Sequence, residues 1–117
     1  MNKRAVGTAY EKIACGYLED QGIEIITVNF RTRFGEIDII GREKEYLLFI
    51  EVKYRSYKNQ GGARYAISRS KQNKIASVAK AFLGMSGYPA DTFCRFDALL
   101  IDGDEIIYIR DAWRMGM

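Results

Sequence analysis

Glu51 and Lys53 lie two positions apart at the end of an otherwise apolar segment. Alternate residues of a strand share one face of its sheet, so we expect both side chains on the same face, about 6.6 Å apart along the chain. Leu48, Ile50 and Val52 would then point to the opposite face, into the core. This pattern predicts a strand that brings an acid and a lysine side by side at its end.

Asp38 supplies a second acid, separated from Glu51 by twelve residues and flanked by two isoleucines. A hairpin can bring these acids to the same edge, where two ionised carboxylates repel each other. A divalent cation relieves that repulsion, holds a phosphate oxygen and acidifies a bound water. Lys53 can orient this water or neutralise charge developing on the phosphate. Because the chain contains no histidine, this arrangement is how it would hydrolyse a phosphodiester.

The spacing alone leaves a structural alternative open. A loose Asp…(Asp/Glu)-x-Lys pattern occurs by chance in about half of chains of this length, and Lys53 could form a salt bridge with Glu51 or Asp38. A third acid, Glu11, falls at the rim of the apolar stripe of a predicted helix. It is either a further catalytic acid that reaches the sheet edge or an ordinary boundary glutamate.

Positive charge is concentrated in one third of the chain, residues 54–90, which we call the basic segment. It contains no Asp or Glu and seven basic residues, which leaves 11 basic against 15 acidic residues elsewhere. Such asymmetry predicts a polyanionic partner, although a solvated helix and loop would show the same composition. The seven residues are Arg55, Lys58, Arg64, Arg69, Lys71, Lys74 and Lys80.

Hydrophobic periodicity and turn residues predict the element order α-β-β-β-α-β-β. This order indicates a mixed sheet with packed helices, of the α/β or α+β class, in a single domain over residues 1–117. Gly22 is expected to end the first helix, and Ser68 or Ser70 to begin the second. The predicted helices cover residues 5–21 and, from Ser68 or Ser70, up to about residue 83. The second helix has a predicted apolar stripe of Ile75, Val78, Ala79 and Phe82. The predicted strands are 23–30, 36–40, 46–54, 92–101 and 106–110, with a turn at 41–45.

Location and redox state follow from simple absences in the sequence. No apolar run approaches the roughly 20 residues of a membrane helix, and the first residues lack the apolar core of a secretory signal. Cys15 and Cys94 have no metal-ligand spacing. We therefore expect a cytoplasmic protein with free thiols and no membrane partner.

The chain resembles the YraN-like family of proposed endonucleases in the candidate catalytic residues and in several further motifs. That family is a branch of the restriction-endonuclease-like PD-(D/E)XK nucleases, close to archaeal Holliday junction resolvases. Ile37 stands where the superfamily name has a proline. The motifs that carry the resemblance are Gly7-x-x-x-Glu11, Asn29-x-Arg31, Gly35-Glu36-Ile37-Asp38, Glu51-Val52-Lys53-x-Arg55, Lys71 and Arg95-Phe96-Asp97.

The resemblance implies a restriction-endonuclease-like α/β fold, with a central mixed sheet flanked by helices. It also implies Mg²⁺ or Mn²⁺ held by Asp38 and Glu51, with the Val52 carbonyl and Glu11 as further ligands and Lys53 as the catalytic lysine. The expected activity is metal-dependent cleavage of DNA, branched DNA included. A junction resolvase would need two sites and hence a homodimer. The alternatives are a non-catalytic nucleic-acid-binding protein with a vestigial site and a regulatory module that contacts a DNA-processing protein.

Basic residues around the motifs are the expected phosphate contacts. Arg31 could instead pair with Glu36, and Lys71, which resembles the family's helix lysine, either faces the site or is solvated. The loop at 58–65 either folds over nucleic acid, with its tyrosines stacking on bases, or is a plain flexible loop. Asp97 with Arg95 is expected to be structural support. The predicted nucleic-acid contacts are Arg31, Arg33, Arg55, Lys58, Arg64, Lys71 and Lys74.

Overall fold

The computed structural model describes residues 3–55 and 67–114. It contains the predicted order of two helices and five strands. Neither described helix is both long and apolar enough to cross a membrane, and both cysteines are free thiols, as expected. The elements are α1 (Lys3–Asp20), β1 (Glu24–Thr32), β2 (Gly35–Glu43), β3 (Tyr46–Arg55), α2 (Arg69–Met85), β4 (Cys94–Asp102) and β5 (Glu105–Trp113).

The five strands form one sheet in sequence order, from β1 at one edge to β5 at the other. Neighbouring strands are antiparallel except β3 and β4, which are parallel. The parallel pair follows from α2, because a strand can only return in the same direction after a crossover connection. The sheet is therefore mixed and the protein is of the α/β class, compatible with the restriction-endonuclease-like fold.

Each face of the sheet is covered by one helix. The side chains of Ala14 and Leu18 on α1 pack with Leu48 and Ile50 of β3. The stripe predicted for α2 packs on the opposite face, against Phe49 among others. The alternation predicted for β3 is thus confirmed: even-numbered residues face α1 and odd-numbered residues face α2. The buried α2 stripe is Ile75, Val78, Ala79 and Phe82, as predicted, with Ala76 in addition.

Strand boundaries differ most from the predictions in β2 and β5, each of which continues three residues beyond its predicted end. Gly41 was expected in a turn but lies inside β2, where a Cβ atom would come within 2.8 Å of the Glu24 carbonyl oxygen. Glycine is needed there because β1 and β2 approach closely, and not because the chain turns. The β2–β3 turn falls at Lys44 and Glu45 instead. Gly22 ends α1 as predicted, with a φ of 90°.

Candidate active site at the fork between β2 and β3

The two central strands of the candidate site separate at Asp38. Regular pairing between β2 and β3 ends at Ile39 and Ile50. Beyond that point the Val52 N–H donates a hydrogen bond to Asp38 Oδ2, at 2.8 Å. A continued antiparallel ladder would have used a backbone carbonyl as the acceptor. The Asp38 carboxylate therefore replaces a backbone group and lies in the fork between the strands.

The backbone around Asp38 is irregular in a way that allows this placement. Ile37 packs in the core under α2, whereas Ile39 packs in the core under α1. Regular alternation would put both on the same face of the sheet. On β1, Asn29 sits between the residues that pair with Ile37 and Ile39, and it has a φ of 52°. Asparagine tolerates this left-handed conformation better than most residues.

Glu51 is the buried acid of the site. It lies on the α2 face of β3 and is only 5% exposed. Its Oε2 atom accepts a hydrogen bond from the ammonium of Lys71, with 2.7 Å between the two atoms. Ser68 is the N-cap of α2, and its hydroxyl accepts from the Lys71 backbone N–H at 3.1 Å. The cap begins α2 above the sheet and so brings the first turn of the helix over Glu51.

Burial and the charge of Glu51 perturb the ionisation of Asp38. Burial and, next, the nearby charge of Glu51 raise the pKa of Asp38 to about 7, although the hydrogen bond from the Val52 N–H and the ammonium of Lys71 oppose the shift. The hydrogen bond to Glu51 raises the pKa of Lys71. In the metal-free protein near neutral pH, the pair of acids therefore carries less than its full negative charge. Full ionisation of both acids is unfavourable, and a bound cation would remove this energetic penalty.

The site opens into a cleft of about 410 Å³ between β2, β3 and α2. Its walls carry acids from the strands and lysines and serines from the helix. Glu36 and Lys74 were not part of the predicted catalytic set but line it together with Asp38 and Glu51. The lining residues are Gly35, Glu36, Asp38, Glu51, Ser68, Ser70, Lys71, Lys74 and Ile75.

Lys53 lies on the predicted face but not against the acids. The register between β3 and β4 runs without interruption through Lys53, which keeps it on the same face as Glu51. Its side chain is exposed and does not line the cleft. Among residues 3–55 and 67–114 it forms no ion pair with either acid. The structural salt bridge weighed for Lys53 is therefore not observed, and Lys71 holds the position that it would have taken.

Glu11 is placed at the edge of this arrangement. Its carboxylate accepts a hydrogen bond from the side-chain amide of Asn29, and it does not line the cleft. Glu11 thus ties α1 to the irregular point of β1 beside Asp38. Within the described part of the chain, no group of three His, Cys, Asp or Glu side chains could hold a metal.

The predicted phosphate contacts are distributed unevenly. Arg31 forms the alternative pair with Glu36, at 3.3 Å and with its side chain 71% exposed. Arg33 lies over the ring of Phe34, 5.0 Å from its centroid. Arg55 is the last residue of β3. Lys58 and Arg64 lie outside the described residues, as does the loop expected to fold over nucleic acid.

Asp97 has the structural role that was expected. It is fully buried and accepts hydrogen bonds from Arg95 Nε at 2.9 Å and from the Asp111 N–H at 2.8 Å. The hydroxyl of Tyr108 donates to the same carboxylate, and Arg95 also pairs with Glu43 at 2.8 Å. This network stabilises the bulge between β4 and β5 and lies outside the cleft.

Fold and site together describe an α/β protein with two acids at a strand fork beneath a lysine-bearing helix. The sequence profile of the uncharacterised protein family UPF0102 matches residues 10–101. The chain is 42% identical to a UPF0102 protein of Lachnoclostridium phytofermentans, over 97% of this chain and 96% of that protein. It is 40% identical to the UPF0102 protein YraN of Salmonella newport, over 97% and 87%. The chain belongs to this YraN-like family, as the sequence motifs indicated.

Proposed function

We propose that the protein is a metal-dependent endonuclease that hydrolyses phosphodiester bonds in DNA. The observation that supports this best is the Asp38 carboxylate, which is turned into the strand fork beside the buried Glu51. An acid whose proton affinity is raised by burial and by a second acid in the same cleft is unfavourable for stability alone. Such groups are frequently kept for binding or catalysis.

The donor set suits a hard divalent cation. Asp38, Glu51 and the backbone carbonyl of Val52 would hold Mg²⁺ or Mn²⁺ through oxygen atoms. Magnesium typically takes one or two protein carboxylates and completes its shell with water and substrate phosphate, so the pair Asp38 and Glu51 would be sufficient for an open site of this kind. The ion would supply Lewis-acid polarisation of the phosphate and acidification of the attacking water.

The protein's own groups have separate tasks in this proposal. Lys53 extends from the face that carries Glu51 and would stabilise charge on the phosphate as the bond breaks. Lys71 and Lys74 line the cleft and would hold phosphate oxygens. The first turn of α2 contains no acid, so the positive end of the helix dipole adds to this attraction.

We further propose that structured or branched DNA is the preferred substrate, on the strength of the resemblance to junction resolvases. Cleavage of both strands of a junction would then require two copies of the chain. The basic segment supplies the positive surface that a polyanion needs.

One observation favours the second candidate, a nucleic-acid-binding protein with a vestigial site. The ion pair between Lys71 and Glu51 neutralises the buried acid without any metal. A site that had lost its ion would keep such a pair. It would also keep the basic segment and bind DNA without cutting it.

Cleavage of three labelled DNAs separates these candidates. Purified protein would be incubated with branched, single-stranded and duplex DNA, each with Mn²⁺ or with EDTA. The endonuclease proposal expects Mn²⁺-dependent products, most rapidly from branched DNA. Binding of all three DNAs without products, at millimolar Mn²⁺, would favour the vestigial site. A Glu51→Gln preparation purified in parallel controls for contaminating nuclease.

A further inference from the structure

We propose that Lys71 is the counter-ion of the site: its ammonium neutralises Glu51 in the metal-free protein, is displaced when a divalent cation binds, and then becomes available to a DNA phosphate. This inference rests on the proposed function, since it assumes that Asp38 and Glu51 are metal ligands. It assigns to Lys71 a role that a general phosphate contact does not have. Lys71 and the metal would compete for the same carboxylate.

The geometry of the ion pair between Lys71 and Glu51 supports the first part of this proposal, that the ammonium and the metal compete for one carboxylate. The Lys71 ammonium lies 2.7 Å from Glu51 Oε2, on an acid side chain that is only 6% exposed. A buried carboxylate without a partner is costly, and therefore the ammonium stabilises the metal-free site. A divalent cation on the same oxygen would meet a positive charge at close range. One of the two must move.

The side chain of Lys71 is able to move away from Glu51. Its backbone is fixed by the Ser68 cap, but its side chain is 47% exposed at the mouth of the cleft. The four-carbon stem of lysine is flexible, so the ammonium can leave Glu51 without any change in α2. Phosphate oxygens of a substrate in the cleft would be its next partners.

Lys74 provides a matched comparison one turn further along α2. It lines the same cleft, and in the described part of the chain it forms no ion pair with an acid. Removing either lysine subtracts one positive charge from the cleft. Only removal of Lys71 also frees a metal ligand, so the difference between the two variants measures the competition.

The test is Mn²⁺ affinity without DNA, measured by isothermal titration calorimetry at one fixed pH. Lys71→Met keeps most of the aliphatic stem and should bind Mn²⁺ roughly tenfold more tightly than the wild type, which corresponds to about 1.4 kcal/mol. Lys74→Met should change the affinity by no more than about threefold, as expected for one screened surface charge. Lys71→Arg should stay near the wild type. Lys71→Gln serves as a second neutral variant and should tighten binding in the same direction.

A structural role for Lys71 alone would lower the melting temperature of Lys71→Met without tightening Mn²⁺ binding. Affinity in both neutral Lys71 variants that is no higher than in Lys74→Met would overturn the inference. The proposed function would survive that result if the wild type still binds Mn²⁺ through Glu51 and cleaves DNA. If no variant binds Mn²⁺, or if Glu51→Gln binds it as tightly as the wild type, the metal site fails and the inference fails with it.

Discussion

Asp38→Asn should make the metal-free protein more stable above neutral pH. Burial and the neighbouring Glu51 raise the pKa of Asp38 from 3.8 to about 7. Between about pH 4 and 7 the folded protein therefore holds a proton that the unfolded chain has released. The free energy of unfolding falls as the pH rises through this window, and above pH 7 the full penalty is present. Asparagine removes the charge, and its side-chain oxygen can still accept the Val52 N–H.

The size of the effect follows from the shift. A difference of about three pKa units corresponds to an upper limit of about 4 kcal/mol, at about 1.4 kcal/mol per unit. Structural relaxation around a charged pair reduces this energy. We therefore expect Asp38→Asn to raise the free energy of unfolding by roughly 1.5 to 4 kcal/mol at pH 8. Near pH 4, where Asp38 is protonated in the folded protein, the variant and the wild type should differ little.

Urea denaturation with EDTA at pH 4 and pH 8 measures both parts of this prediction. Glu36→Gln is the control, because Glu36 lines the same cleft but is paired with Arg31 and contributes less to the Asp38 shift. Melting with Mn²⁺ adds a second comparison. An ion at 100 times its dissociation constant stabilises the folded state by about 2.7 kcal/mol, or very roughly 10 °C for a domain of this size. Asp38→Asn should lose most of that rise.

A purely structural role for Asp38 predicts the opposite change in stability. If Asp38 is there to hold the strand fork together, Asp38→Asn will destabilise the metal-free protein at pH 8. Mn²⁺ will then leave the melting temperature of both proteins unchanged, with or without DNA. That combination would refute the metal-site reasoning.

Three further predictions concern catalysis, DNA binding and the fold. Lys53→Ala should lose cleavage by about a hundredfold or more but keep most DNA affinity in a binding titration, and undiminished turnover would contradict the role of Lys53. If four to six charges of the basic segment meet phosphates, log K should fall with log salt at a slope of about −3 to −5. Lys74→Glu should flatten that slope, whereas a wild-type slope near zero would exclude this surface. Asp97→Ala should lower the free energy of unfolding by about 3 to 5 kcal/mol in urea denaturation, because it leaves Arg95 without its buried partner. Tyr108→Phe should lower it by only about 1 to 2 kcal/mol. A loss of under about 1 kcal/mol in Asp97→Ala would contradict the structural role.

Local periodicity was enough to predict much of the fold. The alternation along β3 placed Glu51 on one face and Ile50 on the other, and both positions are observed. The helical spacing of α2 predicted its buried stripe because one face of a surface helix must pack on the sheet. Strand boundaries were less accurate. A glycine such as Gly41 reads as a turn, although here it serves close approach between strands.

The partners within the site could not be read in the same way. Spacing suggested Lys53 as the partner of Glu51, but the observed partner is Lys71, which reaches the acid only because the crossover brings α2 over the sheet. Asp38 accepts the Val52 N–H next to the left-handed backbone of Asn29, which lies on another strand. Local sequence patterns do not predict contacts between residues that are far apart in the chain. The start of α2 was predicted at Ser68 or Ser70, and Ser68 is the observed N-cap.

The most direct test of the central claim is the single-turnover rate of cleavage of labelled branched DNA in Mn²⁺, compared between Glu51→Gln and Glu36→Gln. Both substitutions remove one negative charge from the same cleft, but only Glu51 is proposed to hold the ion. We predict cleavage by Glu36→Gln within a few-fold of the wild type and at least about a thousandfold loss in Glu51→Gln, the scale of losing a group that stabilises the transition state. Equal rates in the two variants would contradict the account.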